Sequence, residues 1–271
     1  MINSLANNRV KRVRALCAKS KARREEGVFI AEGMKMFLEA PRSWLEEVYV
    51  SDSFYNKYRS NKDKNDSLQG IDYELVSDEV FSKMSDTQTP QGILSVIKQP
   101  RYDLEKAVGA SKGENSLFVI LEDIQDPGNL GTILRVCEGA GVDGVIMSKN
   151  TVDIFNPKVV RSTMGSIYRV PFFTVDNLGG AIELLKNAGI SVYAAAADGD
   201  GGDSCEYDLA DYTKPAAFLI GNEGNGLKPA TMELASQSIS IPMEGLVESL
   251  NAAIATAVLV YEAARVRRRG K

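Results

Sequence analysis

Histidine is absent from all 271 residues. That omission removes Ser/His/Asp and Cys/His catalysis, histidine-ligated zinc and histidine general bases, and leaves chemistry to Arg, Lys, Glu, Asp, Ser or Asn. Cysteine is scarce. Cys17, Cys137 and Cys205 lie far apart and form no CxxC pair, which implies a reduced, cytoplasmic protein rather than a disulfide framework. Long apolar runs are missing as well. The most apolar stretch, Ala252 to Tyr261, contains Thr256 and is too short to cross a bilayer, so no membrane partner is expected. The opening MINSLANNRVKRVRAL has neither the apolar region nor the cleavage site of an export signal.

Acidic residues are missing from the first 24 positions, which hold Arg9, Lys11, Arg12, Arg14, Lys19, Lys21, Arg23 and Arg24. A second basic cluster, Arg265, Arg267, Arg268, Arg269 and Lys271, ends a chain whose net charge is −4. Two basic ends on an acidic protein suit a polyphosphate partner, and equally suit a solvated helix face with a frayed tail.

The expected fold class is α/β in two domains. Residues 1 to about 24 read as one basic helix with Leu5, Val10, Val13, Leu16 and Cys17 along a face. Short strands (GVFIAE, LEEVYVS, YELV, GILSVIKQ) then alternate with helices at Met34 to Ala40, Phe54 to Arg59 and Asp78 to Met84. Together they predict a small α/β/α domain over 1–102. The mixed-charge stretch QPRYDLEKAVGASKGENS, with Pro100, Gly109 and Gly113, is read as holding a linker over 103–116. From 117 to 271 the strands LFVIL, GVIMS, VPFF, SVYAAAA, AAFLIG and SISIP are nearly unbroken apolar runs separated by helices. That pattern predicts a mostly parallel sheet buried on both faces.

Two glycine patterns invite misreading. Gly139, Gly141 and Gly144 spell GxGxxG, but after a helix and before a strand, the reverse of the order that seats a phosphate on a helix N-terminus. A helix C-cap and tight turn is expected there. GNEGNG, Gly221 to Gly226, follows a strand but lacks a Walker lysine, so it reads as a turn whose glycines admit close backbone approach. DGDGGD, Asp198 to Asp203, lacks calcium ligands at the later loop positions, and no metal site is expected.

In order and spacing, DPGNLGTILRVCEGAG, LIGNEGNGL and IPMEGLVESLNAAIA resemble the three motifs of the SpoU (TrmH) family of RNA ribose 2′-O-methyltransferases. NPKVVRSTMGSIYRVP resembles the family's linking stretch, and GVFIAEGMK with TPQGILSV its N-terminal substrate-binding domain. The resemblance implies an S-adenosylmethionine-dependent enzyme with a deep trefoil knot in the parallel-sheet domain, working as a homodimer on RNA. The extra first domain favours ribosomal (23S-type) over transfer RNA. A tRNA-directed member and a noncatalytic ribosome-assembly factor are the alternatives. Carried over by position, the implied cofactor contacts are Leu219, Ile220, Gly221, Ile241, Met243, Ser249, Leu250 and Asn251, with Ala196 at a strand end. Met243 and Leu250 would supply apolar walls for the adenine.

The implied catalytic set is Asn129, Arg135, Glu223, Ser249 and Asn251. Methyl transfer to a ribose hydroxyl needs alignment of two atoms and relief of charge on a poor nucleophile. A guanidinium is permanently protonated and has no acceptor, so Arg135 suits phosphate gripping and alkoxide stabilisation better than proton abstraction. Glu223 would orient its neighbours or relay the proton. Asn129 and Asn251 have a competing structural reading as a helix cap and a loop clasp.

Overall fold

The computed structural model describes residues 1–60, 68–110, 116–196 and 204–269; the DGDGGD stretch lies outside them. The chain divides into two compact units, Met1–Arg101 with Asp153–Tyr168, and Tyr102–Val152 with Arg169–Lys271. The first thus includes a segment embedded, in sequence, within the second.

In the first unit, α1 (Asn8–Ala18) and α2 (Ser20–Glu26) precede β1 (Val28–Glu32), α3 (Met34–Glu39), β2 (Leu45–Ser51), α4 (Asp52–Ser60), β3 (Glu74–Val76), α5 (Asp78–Met84) and β4 (Ile93–Lys98). The sheet runs β1-β4-β2-β3, antiparallel except for the β2/β3 pair. Alternate residues serve opposite faces. Val28 and Ile30 join Val10, Val13 and Leu16 in one core, while Val48, Val50 and Ile93 meet Phe37 in another. Phe29 faces Phe155 of the inserted segment at 5.0 Å between ring centroids.

The expected single N-terminal helix is two, because Lys19 adopts extended angles (φ −124°, ψ 115°) between them. Leu5 stays exposed. Several of the basic residues are internal ties rather than free charge. Arg12 reaches Glu26 and Glu46 at 2.6 Å, Arg9 pairs with Glu74, and Arg23, only 3% exposed, binds Asp153 and the Leu16 and Cys17 carbonyls.

The second unit contains α6 (Leu104–Ala110), β5 (Leu117–Leu121), α7 (Pro127–Ala140), β6 (Gly144–Ser148), β7 (Phe172–Val175), α9 (Leu178–Asn187), β8 (Ser191–Ala195), β9 (Cys205–Glu206), β10 (Ala216–Ile220), α10 (Pro229–Met232), β11 (Gln237–Ser240) and α11 (Ala252–Arg269); α8 (Pro157–Thr163) falls in the inserted segment and packs on β1. α6 forms inside the stretch that reads as a linker. All the strand pairings are parallel, in the order β7-β6-β5-β10-β8-β11-β9. The last long strands do not extend an edge. β10 enters between β5 and β8, and β11 between β8 and β9.

The GxGxxG glycines are structural. Gly141 is the left-handed C-cap of α7 (φ 74°), and a Cβ on Gly144 would meet Phe173 at 2.9 Å. Strand β11 stops at Ser240, short of the Ile241 and Pro242 of SISIP, and α11 starts at Ala252. Arg267 does not face solvent freely; it donates to the carbonyls of Tyr212, Ser116 and Lys214 at 2.9–3.1 Å.

Helix α11 packs on α7, and its Ala252, Ala253 and Ala263 are buried, Ala253 only 2% exposed. Ala253→Leu inserts three carbons into that contact and should cost about 1–3 kcal/mol. A urea midpoint lowered at an unchanged slope would show it; an unchanged midpoint would mean that the contact has room to spare.

Candidate active site

Three stretches distant in sequence meet at the C-terminal ends of β5 and β10. The first is the N-terminus of α7. Asp126 caps it, its side chain accepting from the Asn129 amide, and Pro127 occupies the first turn, where a missing N–H costs nothing. Asn129 is thereby held one turn in.

The second is the turn after β10. A Cβ on Gly221 would lie 2.3 Å from the Gly226 carbonyl carbon and 2.4 Å from the Leu227 nitrogen, so only glycine fits. Asn222 closes the turn, exchanging backbone hydrogen bonds with Gly226 (3.0 and 2.9 Å) and accepting from Gly224 and Asn225 through its side chain. Glu223 projects from this turn toward α7. It accepts from the Asn129 side-chain amide (2.9 Å) and from the Gln125 and Asp126 backbone amides (3.2 and 3.3 Å). Partial burial opposes its ionisation, but these bonds prevail and hold its carboxyl below the usual glutamate value.

The third is the stretch leading into α11. Asn251 accepts from the Ala253 and Ile254 amides as the helix N-cap and donates its side-chain amide to the Asn129 side-chain oxygen at 2.9 Å. An ordered chain of amides results, from Asn251 through Asn129 to Glu223. Both structural readings of the asparagines thus hold in part: Asn251 is a cap, and the pair clasps two loops.

Beside this chain lies a cavity of about 360 Å³. Of the residues expected at a cofactor, Ala196, Ile220, Gly221, Ile241, Met243, Ser249 and Leu250 line it. Leu219 does not; it is fully buried within β10, between β5 and β8. Asn251 also lies outside the lining, in the amide chain. Ser249 is exposed at the rim. Arg135 stands exposed on α7 and makes no hydrogen bond or ion pair among the described residues. It lies six residues beyond Asn129, about 9 Å along the helix axis and a third of a turn around it. Met232 and Leu227, which sequence reasoning missed, complete the apolar wall.

Sequence reasoning also missed Glu122, Asp123 and Lys228. Glu122 is 4% exposed and accepts from the Lys228 backbone amide (2.9 Å) and the Thr231 hydroxyl (2.6 Å). Asp123, at φ 56°, takes the Lys228 ammonium at 2.6 Å and the Ser148 hydroxyl at 2.7 Å. Two consecutive acids closing an apolar strand were the available signal. The buried thiols are poor nucleophiles: burial, reinforced by the charges of Asp86 and Glu32, pushes Cys17 up to about 12, and burial raises Cys137 as well. Among the described residues, no group of three acidic or thiol side chains could hold a metal ion, and no helix is long and apolar enough to cross a membrane.

The sequence model of the SpoU rRNA Methylase family matches residues 116–261, and that of the MRM3-like substrate binding domain matches residues 7–95. The chain is 33% identical to the 23S rRNA (guanosine(2553)-2'-O)-methyltransferase RlmP of Bacillus subtilis, over 96% of its own length and 97% of that protein's. Its fold is similar to that of an AdoMet-bound rRNA methyltransferase from Sinorhizobium meliloti (TM-score 0.81, 31% identity, covering 97% of each chain). Likeness to the A. aeolicus TrmH/SpoU tRNA modifying enzyme covers 62% of this chain and 82% of that one (TM-score 0.51, 28% identity).

The lowered pKa of Glu223 carries a pH signature. Its folded value lies below the ordinary 4.5, so it adds stability that is complete above that value and is lost as pH falls through the folded value. Glu223→Gln should therefore flatten the acid limb of the melting temperature as pH falls below the ordinary glutamate value. Parallel wild-type and variant curves would refute that coupling.

Proposed function

The chain belongs to the SpoU rRNA methylase family, and from that premise we propose that it transfers a methyl group from S-adenosylmethionine to a ribose 2′-hydroxyl of ribosomal RNA. The observation that carries this reading is the amide chain Asn251–Asn129–Glu223 beside a cavity whose lining holds seven of the nine residues expected at the cofactor. Its size is in the range of small-molecule sites. Gly221, with no Cβ, and the apolar Ile220, Met243 and Leu250 fit an adenosine, so the cofactor suits the residues present. The trefoil knot follows from the family fold and accounts for the insertion of β10 and β11 between earlier strands.

Bound S-adenosylmethionine supplies an electrophilic methyl on a sulfonium. The chain's own residues orient the acceptor and handle its charge. Both Glu223 oxygens are engaged, which makes the carboxylate a weak base and assigns it to orientation rather than proton relay. By fixing Asn129, it directs the remaining amide hydrogen. Arg135 is free to grip an RNA phosphate and to stabilise the negative charge that develops on the ribose oxygen as its proton passes to solvent water. Ser249 contributes a hydroxyl at the cavity rim.

Likeness to the rRNA-directed relatives runs through both units, whereas likeness to the tRNA enzyme spans less than two thirds of the chain, so the tRNA reading is the weaker. We place the enzyme in the cytoplasm with its substrate, as a homodimer. The exposed apolar Leu246, Val247, Ile254 and Tyr261, on and before α11, support a covered surface there.

Labelled S-adenosylmethionine and rRNA from cells lacking the enzyme should yield one new ribose methyl in 23S-type RNA, found by nucleotide-resolution mapping, with none in tRNA. Arg135→Lys keeps the charge but loses the planar fork, and its rate should fall about a hundredfold. Label in tRNA alone would overturn the substrate assignment, and near-normal turnover by the lysine variant would overturn the role of Arg135.

A further inference from the structure

The junction between β5 and α7 holds two carboxylates that the methyl-transfer chemistry leaves unused. Glu122 and Asp123 grip both ends of the turn that carries Glu223. At its start, Asn222 donates its side-chain amide to the Asp123 carbonyl (2.7 Å). At its end, Lys228 offers its backbone amide to Glu122 (2.9 Å) and its ammonium to Asp123 (2.6 Å), while Thr231 in α10 adds a hydroxyl to Glu122 (2.6 Å). The Asp123 carbonyl takes a second amide, from Gln125 (2.9 Å), whose side chain also reaches the Asn150 carbonyl.

Two features mark this as more than packing. Glu122 is a buried carboxylate, a weak source of stability compared with an apolar side chain of similar size. Asp123 holds a left-handed backbone, which non-glycine residues adopt at a cost and mainly where their surroundings compel it. Meanwhile residues 223–226 are exposed and lack apolar anchorage of their own. A turn like this keeps one shape only if its ends are fastened.

We propose that Glu122 and Asp123 are positioning residues, a two-point clamp with Lys228 as its latch, that hold the Gly221–Lys228 turn in the form that receives the cofactor. The proposal rests on the methyltransferase reading above. It predicts an effect on cofactor affinity rather than on the chemical step, because the clamp shapes the cavity wall, while Glu223 is held separately by the Gln125, Asp126 and Asn129 amides. The latch is more than half exposed, so its effect is modest.

The test uses full-length protein, with S-adenosylmethionine affinity from calorimetry, kcat at saturating cofactor, and amide exchange over residues 222–228 without ligand. Lys228→Met should weaken cofactor binding about three- to fivefold and speed exchange of the turn by a similar factor, with kcat within about twofold of wild type. Lys228→Arg should restore most of both. Thr231→Val, which leaves the surface latch intact, should act in the same direction. The double variant Asp123→Asn with Lys228→Met should be no worse than the poorer single variant, as expected of partners in one interaction. Unaltered affinity and exchange in Lys228→Met and Thr231→Val would overturn the clamp, as would penalties that multiply in the double variant. Failure of the functional reading would look different: wild-type protein that binds no S-adenosylmethionine, while its turn still loosens in Lys228→Met.

Discussion

Strand β10 is held from both sides, and the site depends on that. Ala216–Ile220 pairs with Leu117–Leu121, and Ala216–Leu219 with Ser191–Ala194. A slip of one residue would break two ladders and turn every buried side chain of the strand the wrong way. The register therefore dictates where β10 ends, and with it where Gly221 and Glu223 emerge. Its neighbour β5 ends alongside and delivers Asp126 and α7 to the same edge. The site lies beyond the C-terminal ends of adjacent parallel strands, a location that open α/β sheets share.

A chain without histidine arranges its polar groups with carboxylates and amides. Their environments separate the tasks. Glu223 is exposed and reaches across to backbone and Asn129 amides, so it fixes Asn129 and ties its own turn to the start of α7. Glu122 is buried at the end of the adjacent strand and fastens backbone. The amide chain has direction, since each asparagine donates one way and accepts the other. Turning either side chain over would break two contacts at once.

The parallel sheet was legible because its strands are continuous apolar runs, and the first domain because its strands alternate with amphipathic helices. Of the residues that motif resemblance marks for a cofactor, most line one cavity. What escaped was set by tertiary context. Nothing in the basic run announces that Arg23 would be buried against Asp153, since that partner lies 130 residues on. The break at Lys19 has no proline or glycine to signal it. Strand β9 is two residues long, too short for any period to show. Leu219 reads as a cofactor contact by position, yet it lies inside β10, where neighbours on both sides fill the space around its backbone. Nothing near Lys228 in the sequence points to Asp123, which lies 105 residues earlier.

The order in which the chain leaves the ribosome now acquires a meaning. β5, β6 and β7 emerge early, but the gap between β5 and β8 is filled by a strand that begins at Ala216, and the amide chain is completed by Asn251. The sheet on a nascent chain is therefore split, with apolar strand edges unpaired until the final quarter of the sequence has been made. That interval is when such edges are open to wrong pairing. Arg267, tied to the Ser116 carbonyl at the start of β5, joins nearly the last residues to the first strand of the unit. The amide chain is therefore absent from any growing chain that has not yet reached Asn251.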